Sequence, residues 1–355
     1  MNGRKVFEEI KESGFDCAVF LDEVSQHYLS DIHTTDGVVI VSAAETALIT
    51  DSRYIEMAET ANLSPDVKAY LFKKPLYEYV NDYLHGVGAK KVAVDPGLIT
   101  VKQLDLLKSK CPDIEFGYKA DVCLKYRRVK TAEEIENIKK AQAITDAAFT
   151  HICGFITPER TELEVAAELE YYMRCHGASG LAFETIAVSG KKSSMPHGVP
   201  GDVKLTMNSF FTMDYGAAYN GYCSDMTRTV VLGKATEEMK TVYNTVRTAQ
   251  AEAMKFIKAG VRAADADKVA RDIITEAGYG EYFGHSLGHS LGLEIHELPS
   301  VSPRSNDILV AGNVVTSEPG IYIPGKFGVR IENMVLVTED GCVNLTASPR
   351  ELIEL

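Results

Sequence analysis

The sequence has no CxxC pair, no surplus of cationic residues and no tract of low complexity. It also has no apolar run near the ~20 residues that a membrane helix needs. Its seven cysteines, Cys17, Cys111, Cys123, Cys153, Cys175, Cys223 and Cys342, are odd in number and scattered. That excludes a disulfide framework and reads as reduced, mostly buried thiols of a cytoplasmic protein. The opening Met1 to Gly14 is charged and amphipathic and does not read as a signal peptide. With 37 Lys and Arg against 50 Asp and Glu the formal net charge is −13, which argues against nucleic acid or an anionic membrane as partner. A GxGxxG turn and a phosphate-binding loop are both missing, which removes the simplest nucleotide-dependent readings.

What is present is 355 residues of ordinary globular composition, 45% apolar and 25% charged, enough for two domains. In the first part, strand candidates at Phe15–Leu21, Gly37–Val41, Ala47–Thr50 and Lys91–Val94 alternate with helical stretches at Arg53–Asn62 and Leu76–Leu84. This predicts a small α/β domain over residues 1–125. A capping box then starts at Thr131 with Glu134, followed by Ile135, Ile138, Ala141, Ile144, Ala148 and Phe149 at helical spacing. A second box, Thr161 with Glu164, opens a helix that stops at Gly177. Strand hairpins alternate with helices at Thr236–Lys258 and Asp265–Ala277, and residues 126–355 are expected to form the second domain, an α+β unit.

Chemistry is concentrated there. Asn220-Gly221 is a strong hairpin signal. If these two residues form the turn, Tyr219 faces Tyr222, Gly216 faces Asp225, and Asp214 and Asp225 become diagonal neighbours on one face, with open space expected beside Gly216. Two carboxylates held that close need a shared proton or a cation. They can instead be solvated surface groups, but the flanking Phe210, Phe211, Met213 and Tyr215 argue for burial. A second hairpin, turning at Pro324-Gly325, carries Glu318 and Glu332, which suggests an internal pseudo-repeat with the acids facing each other. Between the hairpins lie His285, His289 and His296; no HExxH is formed, because Ser286 follows His285. Satisfied structural histidines are the alternative reading. A further histidine, His197, falls in the Pro- and Gly-rich loop from Met195 to Pro200. Four carboxylates and a neutral imidazole match the charge of two divalent cations, and oxygen-rich ligands with one nitrogen suit Mn, Co, Fe or Zn.

At these residues the sequence resembles the pita-bread metallopeptidases, the family of prolidase, aminopeptidase P and methionine aminopeptidase. The ordered set Asp214, Asp225, His289, Glu318 and Glu332 matches the family's metal ligands, in motifs like DxG, a Thr-Arg-Thr run, GHxxG, EPG and RIE. Ile49-Thr50-Asp51-Ser52-Arg53-Tyr54 is similar to a run in the family's creatinase-like N-terminal domain, which methionine aminopeptidases lack. The resemblance therefore implies a creatinase-like α/β domain followed by a pita-bread domain, and the proline-specific branch. It implies two metal ions, Mn favoured, with Asp225 and Glu332 bridging both, Asp214 on one, and His289 with Glu318 on the other. It also implies that His197 contacts substrate, that His296 stabilises the tetrahedral intermediate, and that His285 and Arg330 are active-site residues. Proline-containing peptides would be the substrates of a homodimer, cleaved by a metal-bridging hydroxide with Glu318 moving the proton.

Within that branch the reading leans to an Xaa-Pro aminopeptidase, with an Xaa-Pro dipeptidase as the alternative. Some resembling dipeptidases carry an Arg shortly after the His-Glu pair, whereas Glu297 here is followed by Leu298-Pro299-Ser300; Arg304 is the nearby cation left to clamp a substrate carboxylate. A non-catalytic pita-bread binding protein, hydrolysis of a different amide, and creatinase-type chemistry are the more distant alternatives.

Overall fold

The computed structural model describes residues 2–355. Contacts divide the chain into two compact units, one ending at Arg127 and one spanning Arg128–Leu355. The first is built on a mixed six-stranded sheet. Its strands lie in the order Val67–Leu71, Thr46–Thr50, Gly37–Ser42, Cys17–Phe20, Lys91–Val94 and Glu115–Tyr118. Period-two alternation sends Cys17, Val19, Val38, Ile40, Val92 and Val94 to one face. There they meet Val80 and Leu84 of the helix Leu76–Gly86 and Leu107 of the helix Val101–Lys110. The helix Asn2–Glu12 packs with Val6 and Ile10 buried, against the strands Cys17–Phe20 and Gly37–Ser42. The helical stretch expected at Arg53–Asn62 is shorter, Ile55–Thr60, because the Asp51 side chain folds back onto Arg53 N–H and forms a turn instead.

The second unit has two similar halves. In the first, Ala132–Phe155 and Glu162–Cys175 form a helix pair, each opened by a complete capping box on Thr131 and Thr161. Ala148, Phe149, Ile152, Val165, Leu169 and Met173 of this pair bury against Phe211, Met213, Tyr215, Met226 and Val230 of the antiparallel strands Ser209–Tyr215 and Met226–Leu232. In the second half, the helices Glu237–Phe256 and Ala263–Glu276 bury Val242, Tyr243, Val246, Ala249, Ala266, Ala270 and Ile274. These rest against Val315, Ile321, Val329, Ile331 and Val335 of the strands Val314–Ser317, Gly320–Ile323, Phe327–Arg330 and Asn333–Val337 and the links between them. Each strand thus gives its helix pair every second residue. The other face of the strands is turned toward the opposite half, and the acids lie on that face.

The first hairpin turns at Asn220-Gly221, with φ of 48° and 80°, and Tyr219 pairs with Tyr222. The pairing of Thr227 with Asp214 keeps the same register, but the ladder is broken at Gly216. The open space expected there does not exist: a Cβ on Gly216 would lie 1.9 Å from Ser224 O. Gly216 is needed because two backbones touch, not because a ligand needs room. The second hairpin pairs Ile323 with Phe327 across a three-residue turn that contains Gly325 at φ 73°. Its register runs through to Ser317 opposite Asn333, so Glu318 and Glu332 stand across from one another where the ladder is interrupted.

Candidate metal centre

The two hairpins cross so that strand Met226–Leu232 meets the second half directly. Glu332 N–H donates to Thr227 O at 3.1 Å, and Thr229 Oγ1 donates to Arg330 O at 3.0 Å. Thr227 and Thr229 point the same way, as do Arg330 and Glu332, so the contact brings four polar side chains to one place. Arg330 organises them. Its Nη2 donates to Asp214 Oδ2 at 2.5 Å, its Nε to Thr227 Oγ1 at 2.8 Å and its Nη1 to Tyr322 Oη at 2.7 Å. Thr227 Oγ1 in turn donates a hydrogen bond to Glu332 Oε2 at 2.8 Å.

His289 enters from the strand Gly288–Ser290. Its Nδ1 lies 3.1 Å from the carbonyl of Ser290, which can only accept, so Nδ1 carries the proton and Nε2 turns inward. That Nε2 lies 3.5 Å from Asp225 Oδ2 and 3.3 Å from Glu318 Oε1. Thr316 fixes both neighbours: its hydroxyl accepts from His289 N–H and donates to Glu318 Oε1, each at 3.1 Å. One donor atom each from Asp225, His289 and Glu332 falls within 4.8 Å of the others, a group able to hold a metal ion.

The electrostatics of this cluster favour a cation. Asp225 and Glu332 are nearly inaccessible, at 5% and 1% exposure. Burial, followed by the neighbouring carboxylates, lifts both well above the usual carboxylate range. Asp214 is lifted by burial too, against the pull of Arg330. Burial pushes Glu318 up, yet the hydrogen bond and charge of His289, with His285 and Arg330, outweigh it and draw its carboxyl down to about 2. His289 is raised in turn: burial works against its charge, but Glu318 wins. Two carboxylate oxygens, Asp214 Oδ1 and Glu332 Oε1, are buried and accept no hydrogen bond. An orphaned buried anionic oxygen is costly unless a cation meets it.

The structure therefore brings Asp214, Asp225, His289, Glu318, Glu332 and Arg330 together. His285 stands behind them: its Nδ1 donates to Ser286 O at 2.8 Å, and Nε2 shares a 3.0 Å hydrogen bond with Tyr322 Oη. His296 lies at the solvent side, with its ring centroid 4.3 Å from that of His289. Burial and the proximity of His289 and His197 hold its pKa below the ordinary value, though Glu318 and Asp214 pull the other way. His197 is exposed, and its loop joins the cluster where Pro196 O accepts from Arg330 Nη1 at 3.4 Å. Arg304 is exposed at the turn after the strand Glu297–Val301. Sequence reasoning did not single out Tyr322 and Thr227. The first follows the EPG run by two residues and the second sits in the Thr-Arg-Thr run, but only the register puts them against Arg330.

Residues 136–339 match metallopeptidase family M24, and residues 4–129 match the creatinase/prolidase N-terminal domain. An Xaa-Pro dipeptidase of Pyrococcus furiosus is 39% identical over 350 residues, covering 98% of each chain. Among solved structures, an Xaa-Pro dipeptidase from Bacillus anthracis superposes with a TM-score of 0.95 at 40% identity, over 100% of this chain and 99% of that one. An X-Pro aminopeptidase from Thermotoga maritima superposes at 0.94 with 36% identity, over the full length of both. A creatinase-like N-terminal unit, a pita-bread second unit with helix pairs backing paired hairpins, and an acid-lined centre between the hairpins together place the chain in metallopeptidase family M24.

Proposed function

We propose that this protein is a dinuclear-metal Xaa-Pro dipeptidase. The observation that carries the metal is the cluster itself: four carboxylates and one inward-turned imidazole, with Asp214 Oδ1 and Glu332 Oε1 buried and unbonded. The donor set fits two divalent ions of the Mn, Co, Fe or Zn type. Asp225 and Glu332 would hold both, Asp214 one, and His289 with Glu318 the other. When bound, such a pair supplies Lewis acidity and lowers the pKa of water toward neutrality.

The chain's own groups do the rest. The Xaa-Pro nitrogen carries no hydrogen, so the site needs no acceptor for it. Glu318, held ionised beside His289, takes the proton of the attacking water and delivers it to the proline nitrogen as the C–N bond breaks. His296, at the solvent side of His289, donates to the carbonyl oxygen as it gains charge. His197, exposed and near enough to lower the basicity of His296, orients the substrate. Arg330 and Tyr322 keep Asp214 and the His285 ring in place.

Restriction to dipeptides is supported by the relatives rather than by a side chain of this site. The Pyrococcus furiosus and Pyrococcus horikoshii proteins named Xaa-Pro dipeptidase are 39% and 38% identical over nearly the whole chain. This favours the dipeptidase over the aminopeptidase toward which the residues after Glu297 lean. The Thermotoga maritima neighbour keeps the aminopeptidase as the second reading. Metal-replete protein, offered an Xaa-Pro dipeptide, an Xaa-Pro-Yaa-Yaa peptide and an Xaa-Ala dipeptide, is expected to cleave the first alone. Cleavage of the longer peptide would make it an aminopeptidase, and preference for the alanine control would remove proline specificity.

A further inference from the structure

We infer that Lys130 and Glu297 are positioning residues that set where His296 stands relative to His289; the inference rests on the role of His296 proposed above. Both are almost wholly buried, with side chains 1% and 2% exposed. Lys130 Nζ donates to Glu297 Oε2 at 3.0 Å and to Ser290 Oγ at 3.2 Å. Ser290 directly follows His289, and Glu297 directly follows His296. One ammonium therefore ties together the chain immediately after each of the two histidines.

The tie falls at an irregularity in the backbone ladder. His289 pairs with Ser300 but Ser290 pairs with Glu297, so the register shifts between His289 and Ser290. An interrupted ladder does not fix spacing by itself. Glu297 supplies what is missing. Its Oε1 accepts from Glu294 N–H at 3.1 Å, closing the turn that leads into His296. Its carboxylate rests on Gly292, where a Cβ would meet the carboxylate atoms at 2.9 to 3.1 Å. Gly292 O in turn accepts from Cys223 N–H at 2.7 Å, two residues before Asp225. The turn carrying His296 is thus held on one side by Lys130 and on the other by the backbone two residues before Asp225.

Stability does not account for the pair. Replacing a buried ion pair with well-packed apolar residues is often neutral or stabilising, whereas removing one partner strands a charge. What the pair supplies here is a fixed geometry, and a displacement on the order of 1 Å at a reacting group costs about 100-fold in rate.

The test uses full-length, metal-loaded protein and an Xaa-Pro dipeptide. Lys130→Met/Glu297→Leu removes both charges together, and Gly292→Ala pushes the carboxylate without stranding either. For each, kcat, KM, bound metal, melting temperature and the crystallographic His289–His296 separation are measured. Expected are wild-type metal content and a kcat lowered about 100-fold with KM changed less than about threefold, together with a shifted His296 ring. Wild-type kcat in a stably folded double variant would overturn the inference, as would loss of metal or an unchanged ring separation. If the wild-type protein cleaves no Xaa-Pro bond, the functional reading fails instead, and the ring separation in the two variants still decides whether Lys130 and Glu297 position His296.

Discussion

Thr227 donates its hydroxyl to Glu332 Oε2 at 2.8 Å and leaves Oε1 of the same carboxylate buried without a hydrogen bond. One oxygen is held so that the other is aimed. Because Thr227 also accepts from Arg330 Nε, it joins the cation of the cluster to one of its acids. Thr227→Val keeps the shape and removes the hydroxyl. Groups that orient metal ligands in this way are typically worth about 10–100-fold in metal affinity or activity. A loss of that size is expected in a metal titration, with Thr227→Ser near wild type; equal affinity in Thr227→Val would show that Glu332 needs no such support.

Loss of Asp225, proposed above to be shared by both ions, should be more severe. Asp225 lies 3.5 Å from His289 Nε2 and is surrounded by Glu332, Asp214 and Glu318. Asp225→Ala is expected to abolish turnover and to reduce bound metal, read by elemental analysis of the purified protein. Chelation of the wild type should have the same effect on turnover, reversed by adding Mn or Co. Near-normal turnover in metal-scrubbed Asp225→Ala would end the metal mechanism.

Metal removal should also give stability a set pH dependence. Burial and neighbouring carboxylates raise Asp225 and Glu332 well above their ordinary values of 3.8 and 4.5. A carboxyl with a raised folded pKa holds its proton more tightly in the folded chain. Its contribution is full below the ordinary value and is lost as pH rises through the raised one. Glu318, drawn down to about 2, runs the other way: its contribution is present above 4.5 and fades as pH falls toward 2. Metal-free protein is therefore expected to melt higher near pH ~5 than near pH ~8, and Asp225→Asn/Glu332→Gln should flatten the difference. A flat wild-type profile would mean that the carboxyls ionise freely.

The elements of the second unit were legible because local chemistry and tertiary packing agree there. The Thr131 and Thr161 capping boxes start helices as read, and Asn220-Gly221 sets the hairpin register. Identities in order were enough to name Asp214, Asp225, His289, Glu318 and Glu332. The resemblance, not spacing, gave them roles. Hidden from sequence were the partners that only the folded arrangement brings in: Tyr322 on Arg330, Thr316 between His289 and Glu318, Lys130 on Glu297. Lys130 and Glu297 are 167 residues apart, and nothing in either local sequence marks a buried ion pair. Gly216 was misread for the same reason, since its close neighbour, Ser224 O, belongs to the returning strand.

The close contact at Gly216 has a measurable consequence. Were Gly216 clearing space for a ligand, Gly216→Ala would fold normally and lose only activity or metal. The structure instead puts the new Cβ 1.9 Å from a backbone oxygen, an atom that cannot rotate away. The two strands must separate where Asp214 and Asp225 are set, and the flanking Tyr215 and Met226 are fully buried against the first helix pair. Overpacking a tight interior typically costs about 1–3 kcal/mol, and forcing backbone from backbone belongs at the upper end or beyond. Gly216→Ala is expected to lower the unfolding free energy by that amount, read as a lower denaturant midpoint at unchanged slope, in metal-free protein, where ligand binding cannot contribute. An unchanged midpoint with lost metal binding would restore the open-space reading and remove the strand contact from the account of how these two aspartates are placed.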